Sequence, residues 1–274
     1  MIALDSYYAK GTSHIVCQDY AVHKGNFAMG SDGCSSSPDT DVGARALVNN
    51  ALGLFKTEED KIITDAPLLV RTATRNASTT LHSMYLSSAS IDATLFGISV
   101  LKDRVYAFIA GDGFLYKKYK NGNEELMSVE FENNMPFYQG YITNEERYLQ
   151  YKSHSLRATV SVDFLRDDLK ENNYAYSTSA VNFLLTDLNY IEDLELLLLF
   201  SDGLATWQAA NKENLNDKKD IPTKEILDKI KSVKSHSPGF LQRKILNGLK
   251  KEYKGWELSH WDDFSVVGLA NYDT

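Results

Sequence analysis

The stretch LLLLFSDG, residues 196–203, sets how the rest of the chain reads. A short continuous apolar run of this kind is a strand covered on both faces, because a half-exposed strand would alternate. The run closes on Asp202-Gly203. Two other apolar runs close on the same dipeptide, FAMGSDG at Asp32-Gly33 and YAFIAGDG at Asp112-Gly113. A fourth, FSVVGLA at 264–270, is preceded by Asp262-Asp263. Asp-Gly is ordinary hairpin chemistry. That reading suits Asp112, which FLYKKYK follows as a second strand. It does not suit Asp32, which leads into a polar loop and a helix, or Asp202, which leads into the more helix-like LATWQAANKE.

Outward from these runs, further strands are expected over 1–9, 18–24, 26–31, 93–101, 105–110, 114–120, 124–131, 156–164 and 264–270. Lys102-Asp103-Arg104 and Asn121-Gly122 read as hairpin turns. Val42, Ala46, Leu47, Ala51, Leu54 and Phe55 recur at helical spacing behind Pro38 and Thr40,. A second helix is expected over 66–85, with Val70, Ala73, Ala77, Leu81 and Met84 on one stripe,. Residues 224–233 and 239–253 read as helices, while 133–153 has no clear period. Strands in runs with helices inserted in pairs indicate an α+β fold, an antiparallel sheet or sandwich between helices. No repeat or linker interrupts the 274 residues, so a single domain over 1–274 is expected,.

Composition narrows the function. Apolar residues make up 43% and charged residues 24%, which excludes wholesale disorder,. With 29 Lys+Arg against 37 Asp+Glu the net charge is −8, so no nucleic-acid partner is expected. No apolar run approaches the roughly 20 residues of a membrane span, and no leader is apparent, so no membrane association is expected. Cys17 and Cys34 read as reduced thiols of a cytoplasmic protein. A monomer is expected.

Acids at the ends of adjacent strands converge on one rim of a sheet. Carboxylates that close repel, and burying them is costly. A hard divalent cation resolves the conflict, since Mg²⁺ and Mn²⁺ take oxygen ligands and one or two carboxylates each. A glycine after the acid lets a backbone carbonyl approach as a further ligand.

With these motifs in order, the chain resembles the metal-dependent serine/threonine protein phosphatases of type 2C. GTSHIVCQD, residues 11–19, looks like that family's Gly-Arg-x-x-Asn-Glu-Asp segment, and Asp32-Gly33 like its first Asp-Gly, with Gly43-Ala44 in the helix that follows. DATLFGISV, residues 92–100, followed by YAFIAGDG, resembles its Gly-Thr-Thr strand and Gly-Asp-Ser turn. LLLFSDGL resembles its Ser-Asp-Gly-Leu, and DDFSVVGL its Asp-Asn-x-Thr-Val-Val ending. The resemblance implies a central sandwich of two antiparallel β-sheets flanked by α-helices, with two divalent cations, Mg²⁺ or Mn²⁺, at one end. It makes Asp32 the carboxylate bridging both metals. Asp202 and Asp262 would ligate the first metal and the Gly33 carbonyl the second. Asp19 would lie on the metals or one step behind them, and Asp112 matches the acid implicated in a third, weaker metal.

This chain departs from the family at several positions. Gln18 stands where the family has Glu, and a neutral amide offers the second metal less charge. His14 stands where the family has a phosphate-binding Arg, and imidazole lacks Arg's bidentate fork. Cys34 takes a place sometimes assigned a general-acid His. The implied reaction is hydrolysis of phosphoserine or phosphothreonine on a phosphorylated protein substrate, by a metal-activated water with Asp32, Asp202 and Asp262 as the catalytic acids. The alternative is a catalytically weak or inactive homologue that binds phosphoproteins. A plain sandwich with turn acids is a third reading. Trp207, Trp256 and Trp261 read as packing residues, and His260 as a surface or core-edge residue. The lysines at 212, 218, 219, 229, 231 and 234 read as a solvated helix face, and Asp163, Asp167 and Asp168 as solvated or turn acids, with a place near the metal rim open to one of them.

Overall fold

The computed structural model describes residues 1–166, 171–211, 214–232, 239–249 and 256–272. In chain order it forms β1 (Ile2–Ala9), β2 (Tyr20–Lys24), β3 (Phe27–Ser31), α1 (Thr40–Thr57), α2 (Ile62–Ser83), β4 (Leu95–Leu101), β5 (Arg104–Ala110), β6 (Gly113–Tyr119) and β7 (Glu124–Phe131). There follow α3 (Glu145–Ser153), β8 (Arg157–Phe164), β9 (Tyr174–Ser179), β10 (Leu185–Tyr190), β11 (Leu194–Phe200), β12 (Trp207–Asn211), β13 (Asn214–Asp220), α4 (Thr223–Lys231), α5 (Phe240–Arg243), β14 (Trp256–His260) and β15 (Phe264–Asn271).

Two antiparallel sheets face each other. One runs β1-β15-β11-β6-β7-β8-β9, the other β10-β5-β4-β3-β2. The continuous apolar runs are strands covered on both faces. Along β11, Leu197 and Leu199 enter the core between the sheets, whereas Leu196, Leu198 and Phe200 enter a second core that includes residues of α4 and α5. Along β5, Val105, Ala107 and Ile109 face the other sheet, and Tyr106, Phe108 and Ala110 face α1 and α2. The two-residue period of a strand sends alternate side chains to the two cores. On α1, Ala44, Leu47, Val48, Ala51 and Phe55 form the buried stripe that seats the helix on its sheet,.

One ion cluster links the sheets. Buried Lys117 of β6 reaches Glu125 Oε2 of β7 at 2.9 Å and Asp187 Oδ1 of β10, in the opposite sheet, at 3.2 Å. Burial pulls the ammonium's pKa down, but Asp187 and Glu125 more than reverse it,.

Several expectations are corrected. Gly111-Asp112-Gly113 is not a hairpin turn. β5 pairs with β4 and β10, and β6 with β11 and β7, so the tripeptide carries the chain from one sheet to the other. Gly111 at φ 120° and Gly113 at φ 137° supply the bend,. The stretch after Asp202 is one short turn and then a strand, β12, which pairs with β13 and β14 in a small third sheet. Lys218 and Lys219 therefore lie on β13 rather than on a helix. Lys231 is paired with Glu124 and Asp228. Residues 145–153 form α3, capped by the Asn144 side chain. The helix expected over 239–253 is α5 followed by a π-helical turn to Leu249; its remainder, with Asp167, Asp168, Lys212 and Lys234, lies outside the described residues. The expected turns Lys102-Asp103-Arg104 and Asn121-Gly122 do join paired strands.

Candidate metal centre

In an antiparallel sandwich the C-terminal end of one strand lies beside the N-terminal end of its neighbour. The ends of β3, β5 and β11 therefore share one edge of the molecule with the starts of β2, β4, β6 and β15. Asp32, Asp112 and Asp202 follow the first three strands, and Asp19 and Asp262 precede β2 and β15. The backbone beyond β3 stays paired. Thr94 N–H donates to the Asp32 carbonyl at 2.8 Å, the Asp32 N–H donates to Thr94 Oγ1 at 3.1 Å, and Gly33 bridges to Ala93. On the other sheet Ser201 N–H donates to Ser265 O at 3.0 Å, and Ser265 N–H returns to Ser201 Oγ at 3.0 Å.

The five carboxylates act on one another through their charges. Asp19 is the buried floor, 1% exposed, while Asp32, Asp112, Asp202 and Asp262 are partly exposed around it. Burial, then the charges of Asp19 and Asp202, push Asp32 well above the usual carboxylate range. Burial raises Asp19 to about 7, against the pull of nearby Ser265, Asp32 and Ser201. Both Asp19 oxygens nevertheless lack a donor in hydrogen-bonding alignment. Burial and Asp202 raise Asp112 to about 8. Burial and Asp202 also raise Asp262, which His14 lowers in part.

The remaining expected residues stand at the edge of this cluster. His14 Nδ1 lies 3.0 Å from Asp263 Oδ2, and His14 Nε2 lies 3.5 Å from Asp262 Oδ1. Gln18 turns its amide nitrogen to Thr40 Oγ1 of α1 at 2.7 Å. Cys34 Sγ sits 3.0 Å from Ser36 Oγ, and the Cys34 N–H donates to Asp92 O at 2.8 Å. Trp207 is packed against buried His260 with ring centroids 4.9 Å apart, but Trp261 is 46% exposed, which corrects its reading as a packing residue.

Four residues at this end carry roles that the sequence reading did not assign. Asp263 is 2% exposed and accepts the Gly11 N–H on Oδ1 at 2.7 Å and the Gln18 N–H on Oδ2 at 2.5 Å. It thereby closes the loop 11–18 at both ends. Asp92 accepts Ser37 Oγ–H at 2.7 Å and Arg147 Nη2–H at 2.5 Å. Tyr138 lies near Cys34 and Asp112; burial first, then those two groups, raise its phenol pKa. Asp263 and Asp92 were visible as acids inside quoted motifs. Tyr138 and Arg147 lie in the aperiodic stretch, where no local pattern marks them.

Among the described residues no group of three or more His, Cys, Asp or Glu side chains stands close enough together to hold a metal ion. The donor chemistry still suits a hard divalent cation. The convergent groups are all oxygens, burial and then their mutual repulsion raise Asp19, Asp32, Asp112 and Asp262, and Asp19 has two buried oxygens without donors in alignment,.

Layered α-β-β-α sandwiches with carboxylates gathered at one end form a recognisable class, and this molecule is one of them. More narrowly, the chain belongs to the protein phosphatase 2C family, whose family model matches residues 10–236. That span includes Asp19, Asp32, Asp112 and Asp202 but stops short of Asp262. Solved structures of similar fold include PppA, a key regulatory component of T6SS in Pseudomonas aeruginosa, at 14% identity and TM-score 0.54, with 99% of this chain and 98% of that chain covered. The Mycobacterium tuberculosis serine/threonine phosphatase PstP/Ppp matches at 14% identity and TM-score 0.53, with 99% of each chain covered. The catalytic domain of PstP in complex with two manganese ions matches at 14% identity and TM-score 0.51, with 100% of each covered. At these identities the likeness is one of fold. No curated protein matches the chain. Among the described residues no helix is long and apolar enough to cross a membrane.

Proposed function

We propose that the chain is a Mg²⁺- or Mn²⁺-dependent protein phosphatase that hydrolyses phosphoserine and phosphothreonine on protein substrates. The observation that carries this reading is the set of four carboxylates gathered around a fifth, Asp19, whose two buried oxygens have no donor in alignment. Family membership and the two manganese ions of the PstP complex support it. Asp32, Asp202, Asp262, the Gly33 carbonyl and Gln18 would hold the two ions, with Asp19 and Asp112 as further acids of the site. Bound there, the cations would lower the pKa of a shared water and offset the charge of the phosphoryl group.

The chain's own residues supply the geometry. Paired backbone at Asp32–Thr94 and Ser201–Ser265 fixes the strand ends that bear the acids. Asp263 fixes the loop bearing His14, the candidate contact to the substrate phosphate. Purified protein with Mn²⁺ should hydrolyse p-nitrophenyl phosphate and phosphopeptides, and Asp32→Ala or Asp202→Asn should reduce kcat at least a hundredfold. No turnover by the wild type on either substrate would sink the proposal. One observation favours the alternative, a phosphoprotein-binding homologue of little activity. His14 faces two acids, Asp263 at 3.0 Å and Asp262 at 3.5 Å, and Gln18 gives its amide nitrogen to Thr40, where the family has a phosphate-binding Arg and a charged Glu.

A further inference from the structure

The end of the molecule that carries the acids also carries exposed apolar side chains. Ile15 is 96% exposed, Val16 51% and Trp261 46%. Scattered apolar residues on a surface are normal, but these are adjacent to the acids in both sequence and space. Ile15 follows His14, and Trp261 precedes Asp262, the residue His14 faces. Their exposure is not that of a loose loop. The Thr12 N–H donates to His260 O at 2.9 Å and the Ser13 N–H to Trp261 O at 3.0 Å, while Asp263 ties down Gly11 and Gln18. A clamped loop that holds apolar groups in water is preorganised to cover them with a partner.

We propose that Ile15, Val16 and Trp261 form a lip that receives a bulky apolar residue flanking the phosphorylated residue of the substrate. This deepens the phosphatase reading and rests on it for the position of the phosphoryl group. Side chains of an extended peptide leave the backbone at steps of about 3.3 Å. A segment that points its phosphoseryl group at Asp32 and Asp202 therefore lays its neighbours over the rim. Charge argues against an acidic flank. The acids Asp262 and Asp263 stand beside the lip, facing His14 at 3.5 and 3.0 Å, and would repel an acidic side chain,. What the lip offers is area to be removed from water.

The test uses fluorescein-labelled peptides in which a hydrolysis-resistant phosphonomethylalanine replaces phosphoserine, with Leu, Ala or Glu beside it on either side. Fluorescence anisotropy with the full chain and Mn²⁺ gives Kd. Leu should bind about tenfold tighter than Ala, about 1.4 kcal/mol, and Glu weaker than Ala. Ile15→Ser or Trp261→Ser should cut the Leu-to-Ala ratio below threefold. Ile15 packs against so little that its variant should fold normally. A wild-type ratio below threefold, or one that survives both substitutions, overturns the lip. p-Nitrophenyl phosphate has no flanking residue, so its turnover reports on the phosphatase reading alone. Turnover with flat peptide preference overturns the lip and leaves that reading intact. Preference without turnover supports the lip and overturns that reading.

Discussion

Both carboxylate oxygens of Asp263 are committed to backbone N–H groups at opposite ends of the loop 11–18. A buried acceptor lost from two donors costs about 3 kcal/mol. Asp263→Ala should therefore lower the Tm by about 6–12 °C for a chain of this size, and Asp263→Asn by about half as much, because one acceptor survives. A Tm within 2 °C of the wild type in Asp263→Ala would remove the clamp. Single residues were unevenly legible. Asp32, Asp202 and Asp262, the proposed metal-holding acids, stand out in the sequence because each follows or precedes an apolar run, a local pattern. The clamp of Asp263 joins positions 252 and 245 residues away, and no local pattern encodes such a pairing. The contact of Arg147 with Asp92, across 55 residues, escaped for the same reason.

At the level of elements, buried strands and amphipathic helices could be read from their periods, whereas partner choice could not. Gly111-Asp112-Gly113 has the composition of a hairpin, yet β5 and β6 belong to different sheets, and only the pairing of β6 with β11 and β7 reveals it. Trp207–Asn211 has a weak pattern of either kind, and its pairing with β13 and β14 makes it a strand,. The crossover is sterically demanding. A Cβ on Gly113 would lie 2.5 Å from Phe200 O at φ +137°, whereas one on Gly122, at φ +84°, would meet nothing within 4 Å. Gly113→Ala should thus cost more than about 3 kcal/mol and Gly122→Ala about 1 kcal/mol. Urea denaturation of the two variants checks the order; equal midpoints would mean that the crossover is less tight than described.

For the molecule as a whole, the acid cluster couples stability to pH. Asp19 at about 7, Asp112 at about 8 and Asp32, also raised, keep protons in the folded state that the unfolded chain releases near pH 4,. The folded state binds more protons across that window, so the stability of metal-free protein should fall as pH rises from about 4 to about 8. The check is a series of melts in EDTA. At pH 8, Mn²⁺ at a hundred times its Kd should add about 2.7 kcal/mol, seen as a Tm rise of about 5–11 °C. A flat EDTA profile, or no response to Mn²⁺, would show that the carboxylates neither repel nor share an ion as described.

Asp19 and Asp32 flank strands of one sheet, Asp202 and Asp262 strands of the other, and Asp112 sits where the chain passes between them. Negative charge at that end thus acts across the seam between the two leaves of the sandwich, opposed by the apolar core between them and by the Lys117–Asp187 pair. Whatever neutralises the acids also relieves that seam.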